Sequence, residues 1–209
     1  PKVGQPSWGL LQMRLLSNVT TTYQPSTKDI YFDSANPNNN FSTQAHLNIS
    51  YNEDYNRSII HFDTTDIPSG ATFSAGYVEL YCWYFSATTC LTYANRMTRL
   101  NWTEGGATWN KYDGTNNWTT AGGDYTTTNR ASNNTTGTGW KSWSSATLIQ
   151  NCYDNQSKNV YLEFETSDKG AIEILYRSRR YTDDTSKRPK LTVTYTAPAT
   201  SNFFLFFNN

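Results

Sequence analysis

Near one end the chain reads Lys190-Leu191-Thr192-Val193-Thr194-Tyr195-Thr196. Large apolar residues alternate with threonines here, and β-branched or aromatic side chains occupy both faces, which is typical of a β-strand. Similar short runs, bounded by Gly, Pro, Asn and Ser, recur along most of the chain. Helical periodicity is almost absent. We therefore predict an all-β protein, an antiparallel β-sandwich of jelly-roll type with long surface loops and extended terminal arms.

Eight segments carry this strand pattern. They are Thr27 to Phe32, His46 to Ser50, Arg57 to Asp63, Tyr77 to Phe85, Leu91 to Arg99, Asn159 to Glu165, Ala171 to Ser178 and Lys190 to Tyr195. Within the third segment, the alternation of a strand places Ile60 and Phe62 on one face and His61 on the other.

The middle of the chain, from Asn110 to Lys141, has no apolar periodicity and consists of Gly, Thr and Asn clusters around Trp118. We predict a long excursion over the surface, anchored by its aromatic residues. A short helix is expected directly after it, at Ala146 to Asn151, with Ser144 or Ser145 as the N-cap.

The 209 residues suit one large all-β domain, since sandwiches and barrels commonly run to about 200 residues without splitting. We expect this domain at 23–196, after an N-terminal arm or first strand at 1–22 and before an apolar tail at 197–209. Seventeen basic residues balance seventeen acidic ones, and charged residues make up only 16% of the chain. Such a surface favours neutral hydrogen-bonding partners over nucleic acid or acidic membranes.

The one basic cluster, Arg177-Ser178-Arg179-Arg180, is followed by Asp183 and Asp184, so we interpret it as locally compensated. No run approaches the roughly 18 apolar residues of a spanning helix, and we expect no membrane insertion. Pro1 suits a chain that has lost an initiator Met, and no signal peptide is visible. We therefore expect a complete chain, made in a cytoplasm without a secretion signal. The missing leader beside an extracellular-type fold favours a location on a virion or an extracellular surface.

Three cysteines, Cys82, Cys90 and Cys152, are too few for a disulfide scaffold. Cys82 and Cys90 flank a predicted turn at 86–89, so a hairpin disulfide and two buried thiols both fit the sequence. No cofactor is expected. A structural calcium ion would need clustered oxygen ligands, for which the sequence offers Asp63 with Asp66, or Asp113 with Asp124.

A segment of ten residues, Asn101 to Asn110, follows the fifth predicted strand. It contains two tryptophans, a glutamate and a Gly-Gly corner. Sugar recognition needs flat apolar faces for the C–H surface of a pyranose and fixed polar partners at its edge. The chain offers both in a candidate carbohydrate-binding set: Trp102, Trp109, Asn110, Tyr112 and Trp118. In the alternative, structural interpretation, the three tryptophans of this set are core aromatics.

Both ends of the chain carry apolar runs. The N-terminal run is either a first core strand or a docking segment. An exposed apolar patch of the size of the C-terminal run is rare on monomeric proteins, so we expect that run to be buried against a neighbouring subunit or a shelf on the same domain. The predicted docking residues are Trp8, Leu10, Leu11, Phe203, Phe204, Leu205, Phe206 and Phe207.

Several motifs occur in a fixed order between Tyr23 and Tyr195. They are Lys28-Asp29 with Asn36-Pro37-Asn38, Arg57-Ser58-Ile59-Ile60-His61-Phe62-Asp63, Ile67-Pro68-Ser69-Gly70-Ala71-Thr72, Trp102-Thr103-Glu104 with Ala107-Thr108-Trp109-Asn110, and Arg188-Pro189-Lys190-Leu191-Thr192-Val193-Thr194-Tyr195. Together they resemble the disaggregatase-related β-sandwich family known by the letters DNRLRE, which is similar to carbohydrate-binding modules attached to polysaccharide lyases. The resemblance implies a β-sandwich with an accessory role, as in cell-surface proteins, enzymes and viral structural proteins.

Residues suited to catalysis are few. The chain has two histidines, His46 and His61, and neither a nucleophile-elbow pattern nor a Gly-rich phosphate loop. A glycosidase or lyase would have to use carboxylates, and the one aromatic-flanked candidate set is Glu104 with Asp113 or Asp124. We prefer a structural interpretation, in which Glu104 accepts backbone amides at a loop corner, and predict that the protein is not an enzyme.

The sequence is compatible with two functions. In the first, the chain is a non-enzymatic structural or decoration protein of a virion or extracellular appendage, assembled through its ends into a homo-oligomer or larger assembly. In the second, it is a stand-alone polysaccharide-binding module of a cell-surface protein or enzyme. The oligomeric state in solution discriminates between them, because a strict monomer favours the binding module.

Overall fold

The structure is a computed structural model that describes residues 17–170 and 172–198. Eleven β-strands lie in this part of the chain: β1 (Asn18–Tyr23), β2 (Lys28–Asp33), β3 (His46–Tyr51), β4 (Tyr55–Asp63), β5 (Thr72–Phe85), β6 (Cys90–Met97), β7 (Tyr125–Thr135), β8 (Gly139–Ser144), β9 (Asn159–Thr166), β10 (Glu173–Arg177) and β11 (Lys190–Thr196). They are joined by one α-helix, α1 (Ala146–Asn155), and one 3₁₀ turn (Thr185–Lys187).

The strands form one antiparallel sheet that curls over itself, in the order β1-β11-β5-β10-β3-β4-β9-β6-β7. The turn between β3 and β4 joins two layers, and only two residue pairs link these strands, Ser50 with Asn56 and Tyr51 with Tyr55. The first layer contains β1, β11, β5, β10 and β3, with β8 on β5; the second contains β4, β9, β6 and β7, with β2 on β4. The predicted all-β antiparallel sandwich is therefore confirmed.

The main hydrophobic core lies between the layers. Alternate residues of each strand enter it, such as Leu80 of β5 and Leu162 and Phe164 of β9. Trp143 of β8 contacts both layers, since its ring centroid lies 5.0 Å from that of Phe164 and 5.8 Å from that of Tyr176. Burial of each large apolar side chain in this core stabilises the fold by roughly 1.5–3 kcal/mol.

All eight predicted strands exist, with ends that differ by a few residues. The predicted N-terminal segment contributes residues 18–22 to β1, which pairs with β11 from Asn18 opposite Thr196 to Tyr23 opposite Leu191. The predicted docking residues lie outside the described part of the chain: Trp8, Leu10, Leu11, Phe203, Phe204, Leu205, Phe206 and Phe207.

The prediction of one long surface excursion from Asn110 to Lys141 is wrong from Tyr125 onward. This segment contains β7, which pairs with β6, and the start of β8, which pairs with β5. The apolar signal is weak because only Ala131 and Thr135 of β7 are buried, while its other positions carry mostly Thr, Asn and Ser. The neighbouring strands, rather than the local sequence, therefore determine the conformation of this segment.

The predicted helix is confirmed and continues one turn further, to residue 155. Ser145 rather than Ser144 is the N-cap, since its Oγ accepts a hydrogen bond of 3.0 Å from the backbone N–H of Leu148. Ile149 packs on β5 at Gly76, where a Cβ atom would lie 2.8 Å from it. At ten residues α1 is short, and the described residues include no helix with the length and apolar character to cross a membrane.

All three cysteines are free and buried. Residues 86–89 connect strands of different layers, β5 and β6, which do not pair with each other. Cys82 and Cys90 therefore do not form a hairpin disulfide, and the buried-thiol alternative is confirmed. Burial raises the pKa of the Cys82 thiol to about 11, which disfavours its reactive thiolate form.

Candidate binding site

Residues 98–124 fold back over the outer face of the second layer. There they close a second hydrophobic core on β2 and β4, with Ile59 of β4 beneath them. Trp102 and Trp118 are only 1% and 5% exposed in this core. The indole N–H of Trp118 donates to the carbonyl of Thr108 at 2.9 Å. These two tryptophans therefore hold the loop on the sheet and offer little surface to a ligand.

Glu104 fixes the corner of this loop. Its carboxylate accepts hydrogen bonds from the backbone N–H of Asp29 at 3.0 Å, from Nε of Arg179 at 2.7 Å and from Nη2 of Arg180 at 2.9 Å. Burial alone would raise the pKa of Glu104, but these donors outweigh burial and hold the pKa below its ordinary value. The carboxylate is thus fully engaged in orienting the loop.

The basic cluster is compensated differently from the prediction. Arg179 and Arg180 form salt bridges with Glu104, which lies far from them in sequence, rather than with the aspartates that follow them. Asp184 instead pairs with Lys187 at 3.3 Å. The charges of these two arginines are therefore compensated by a residue that only the fold brings close, and not by their neighbours in sequence.

Arg57 of β4 anchors a polar cluster on the same outer face. Its Nη2 lies 3.3 Å from Oε2 of Glu165, and its Nε lies 3.6 Å from Oε1 of Glu163. Three aromatic rings flank the guanidinium, with centroids at 5.2 Å for Tyr125, 5.4 Å for Trp109 and 5.6 Å for Tyr55. Charge on one side and aromatic faces around it hold the guanidinium in one orientation.

Glu163 is fully buried behind Arg57. The side-chain amide of Asn95 donates to both carboxylates, at 2.8 Å to Glu163 and 3.2 Å to Glu165, and the Tyr125 hydroxyl donates to Glu165 at 2.8 Å. Burial, and then the charge of Glu165, raise the pKa of Glu163 to about 8. Nε of Arg57, Oε1 of Glu163 and Oδ1 of Asn95 have no hydrogen-bond partner among the described residues. Such a concentration of unsatisfied buried atoms is unusual.

A second wall is made by residues 119–124, which wrap around Asp124. Its carboxylate accepts the backbone N–H groups of Thr119 at 3.1 Å and Thr120 at 2.8 Å, and Nε of Arg99 at 2.8 Å. Burial alone would raise the pKa of Asp124, but these donors hold it below the ordinary value. The loop is therefore ordered around a charged Arg99–Asp124 pair.

A cavity of about 430 Å³ lies between these walls, and we call it the Arg57–Arg99 cleft. Two guanidinium groups, a carboxylate, three threonines and an aromatic ring contribute to its lining, which consists of Arg57, Thr98, Arg99, Thr119, Thr120, Ala121, Gly123, Asp124 and Tyr125. Its size falls within the range of about 300–1,000 Å³ that is typical of small-ligand sites.

The five predicted carbohydrate-binding residues occupy different environments. Trp109 is half-buried beside Arg57, and Tyr112 is half-buried under Arg99, whose guanidinium carbon lies 4.4 Å from the ring centroid. Trp102 belongs to the second core. A neighbouring cavity of about 380 Å³ is lined by Asn38, Asn110, Lys111, Asn117, Trp118 and Ala121. The predicted aromatic set thus supports and flanks the cleft rather than lining it.

Arg57 and the two glutamates that orient it were not among the predicted site residues. Because Leu162 and Phe164 face the main core, Glu163 and Glu165 must share the outer face of β9. Two such carboxylates in an otherwise apolar strand need a cation, and this pattern was a usable signal. That this cation is Arg57 follows only from the pairing of β4 with β9.

No cluster of three or more His, Cys, Asp or Glu side chains suited to a metal ion occurs in residues 17–170 and 172–198. Each carboxylate considered for calcium accepts a hydrogen bond from the protein: Asp63 from Thr65, Asp66 from Tyr23, Asp113 from Asn116 and Asp124 from Arg99.

Both histidines occupy packed positions away from the cleft. The ring of His61 stacks on Tyr161 at 4.0 Å, and its Nε2 lies 2.8 Å from Oδ1 of Asn159. The ring of His46 stacks on Tyr31 at 5.3 Å. Burial lowers the pKa of both histidines, which favours their neutral forms.

No protein-family model matches the sequence, and no curated protein matches it. The resemblance to the DNRLRE family therefore stays a prediction, and the chemistry of the cleft is the basis for a functional proposal.

Proposed function

We propose that the protein is a non-enzymatic β-sandwich module that binds a neutral polysaccharide in the Arg57–Arg99 cleft. The observation that carries this proposal is the composition of the cleft wall. It combines guanidinium donors, a carboxylate acceptor and an aromatic ring in a cavity of about 430 Å³.

A sugar ring presents hydroxyl groups, which both donate and accept, around an apolar C–H face. Arg57 and Arg99 supply donors in a planar array, and Asp124 supplies acceptor lone pairs. Tyr125 adds an aromatic surface for the C–H groups. Each arginine already faces a carboxylate, at 3.3 Å for Arg57 with Glu165 and 2.8 Å for Arg99 with Asp124. Because these charges are paired, an uncharged ligand suits the cleft better than an ion.

Contacts within the protein orient the polar groups of the cleft. Three aromatic rings and two glutamates orient Arg57, while two backbone amides and Arg99 orient Asp124. A ligand would therefore bind without immobilising many side chains, which reduces the entropic cost of binding.

A glycan array followed by titration calorimetry with a bound neutral glycan tests the proposal. Arg57→Lys and Arg99→Lys keep the charge but remove the planar set of donors, so each should lower the affinity by about tenfold or more. Arg130→Lys, at an exposed position of β7 outside the cleft, is the matched control and should bind like the parent. The proposal fails if no neutral glycan binds, or if both cleft variants keep the parental affinity.

A structural or decoration role on a virion or extracellular appendage is a second candidate. One observation favours it: Asn18 of β1 pairs with Thr196 of β11. The chain therefore enters β1 and leaves β11 at the same corner of the sandwich, and a role of both apolar ends in contacting a neighbouring subunit is part of this second proposal. A chain that ends at Ala197 should then assemble less well than the full chain in light scattering, and equal assembly would remove this candidate.

A further inference from the structure

The outer face of the first layer carries an exposed aromatic cluster that the cleft does not use. Trp83 and Tyr84, near the end of β5, are 36% and 42% exposed, and Trp140 of the adjacent β8 is 37% exposed. Aromatic side chains concentrated on a protein surface are typical of interaction sites.

A β-bulge places Trp83 and Tyr84 side by side. The partner strand β10 pairs with Tyr84 and then with Cys82, so Trp83 is an extra residue in β5. Regular alternation would turn Tyr84 inward like Cys82, which is buried in the core. Instead Tyr84 is exposed, and Phe85 packs against the core in its place. Bulges of this kind re-aim side chains at functional sites.

Strand β10 carries opposite charges along the same outer face. Ile174 and Tyr176 enter the core, so Glu173, Leu175 and Arg177 point outward. Glu173 forms no salt bridge with any other described residue, and neither does Arg177. The strand therefore presents an unpaired anion and an unpaired cation, separated by about 13 Å, on either side of a leucine.

The rings of Trp83 and Tyr181 hold Arg177 in place. Its guanidinium carbon lies 4.5 Å from the ring centroid of Trp83 and 3.9 Å from that of Tyr181, and its buried Nε has no hydrogen-bond partner among the described residues. Other cations of this face already have carboxylate partners: Lys190 pairs with Glu79 at 3.2 Å and Lys187 with Asp184 at 3.3 Å. Arg177 is thus oriented and still able to bind a carboxylate.

We propose that a second copy of this chain covers this face in a symmetric dimer. A two-fold axis that lies between the two faces and crosses β10 at Leu175 places Glu173 of each copy opposite Arg177 of the other. The sequence of anion, leucine and cation is thus complementary to itself, as a two-fold interface requires. A single acidic partner protein would match Arg177 but not Glu173.

The same axis passes through the aromatic cluster. Leu175 lies opposite Tyr84 in the β5–β10 register, so Trp83 and Tyr84 lie near the axis and pack against their own counterparts. Trp, Tyr and Arg are the residues that dominate the binding energy of protein interfaces. The residues named for the dimer belong neither to the glycan cleft nor to the predicted docking residues of the chain ends, so the dimer is proposed independently of both functions.

Sedimentation velocity of the full chain, from about 1 μM to about 1 mM, tests the dimer. We expect a species of twice the 23.8 kDa chain mass at high concentration. Glu173→Arg and Arg177→Glu each place like charges opposite one another, so each should weaken dimerisation by about 100-fold. The double variant Glu173→Arg/Arg177→Glu exchanges the signs on both copies, and it should recover most of the parental association.

Thermal unfolding checks that each variant is folded. Because Glu173 is exposed, Glu173→Arg and the milder Glu173→Gln, which should weaken association to a smaller extent, keep the test decisive even if Arg177→Glu does not fold. Arg130→Glu, on the exposed surface of the other layer, is the control and should dimerise like the parent. A chain that is monomeric at every concentration, a dimer that tolerates Glu173→Arg, or a folded double variant without recovery would each overturn the proposal.

Discussion

Trp102 and Trp109 lie in one loop but have different roles. Trp102 is buried in the second core, whereas Trp109 is half-buried and lies against the guanidinium of Arg57. From sequence, either residue fitted a sugar-binding surface equally well. Their burial in the structure distinguishes the two residues. A side chain without exposed surface, such as that of Trp102, cannot contact a ligand and affects the site only by stabilising the fold.

Substitution of these two tryptophans should have separable effects. Trp102→Ala removes a large buried side chain and should lower the free energy of unfolding by about 3–5 kcal/mol, measured by urea denaturation. Trp109→Ala should cost less stability but weaken glycan binding, since Arg57 loses one of its flanking rings. Equal losses of stability in both variants, with parental glycan affinity in Trp109→Ala, would contradict this assignment.

Glu163 gives a pH prediction. Its pKa is raised from 4.5 to about 8, so within this range the folded state holds a proton that the unfolded state has lost. Stability contributed by this group is therefore present below about pH 4.5 and is lost as the pH rises to about 8. Glu163→Gln cannot ionise, so its stability relative to the parent should increase by about 2 kcal/mol or more between about pH 5 and about pH 9.

Denaturation by urea across this pH range measures the effect. Glu53→Gln, at an exposed glutamate in the turn between β3 and β4, is the control for the loss of one carboxylate. If both variants show the same pH trend relative to the parent, then Glu163 is not the group that retains a proton in the folded state.

At the scale of elements, the loop at 119–124 depends on two adjacent glycines with positive φ, +87° for Gly122 and +113° for Gly123. A Cβ atom on Gly122 would lie 2.8 Å from Trp109 and 3.0 Å from Nη1 of Arg57, whereas one on Gly123 would meet nothing within 4 Å. Both Gly→Ala variants should lose about 1–3 kcal/mol of stability through backbone strain. Gly122→Ala should also weaken glycan binding, because its Cβ atom displaces Arg57. Calorimetry measures this loss, and a Gly122→Ala variant that binds like the parent would contradict it.

The start of α1 supports a second prediction at this scale. Ser145→Ala removes the hydrogen bond to the N–H of Leu148 and should cost about 1 kcal/mol in urea denaturation. Ser144→Ala changes an exposed neighbour and is the matched control, which should be nearly neutral. A larger loss in the control would show that the cap is assigned to the wrong serine.

Strands with apolar alternation were predictable from sequence, and strands without it were not. Leu191 and Val193 of β11 and Leu162 and Phe164 of β9 alternate with more polar residues because one face of each strand enters the core. β7 was missed because its exposed face and much of its inner face carry Thr and Asn. The bulge at Trp83 was missed because it arises from the pairing of β5 with β10, which no local pattern reveals.

At the scale of the whole molecule, the candidate site was less predictable than the fold. The cleft combines Arg57 of β4, which Glu163 and Glu165 of β9 orient, with the loop that carries Asp124, so it exists only once strands distant in sequence are paired. The aromatic loop was recognised from its composition, but its main role is to close a second core. Sequence patterns thus indicated the region of the site, while the non-local pairing of charges determined its chemistry.

A neutral glycan that binds at the two arginines of the cleft should change the surroundings of both guanidinium groups. A titration of the ¹⁵N-labelled protein with such a glycan, following the Nε–Hε resonances of arginine by NMR, measures this change. We expect saturable shifts for Arg57 and Arg99 and unchanged signals for Arg130. If the glycan binds saturably and leaves the signals of Arg57 and Arg99 unshifted, it does not bind in this cleft.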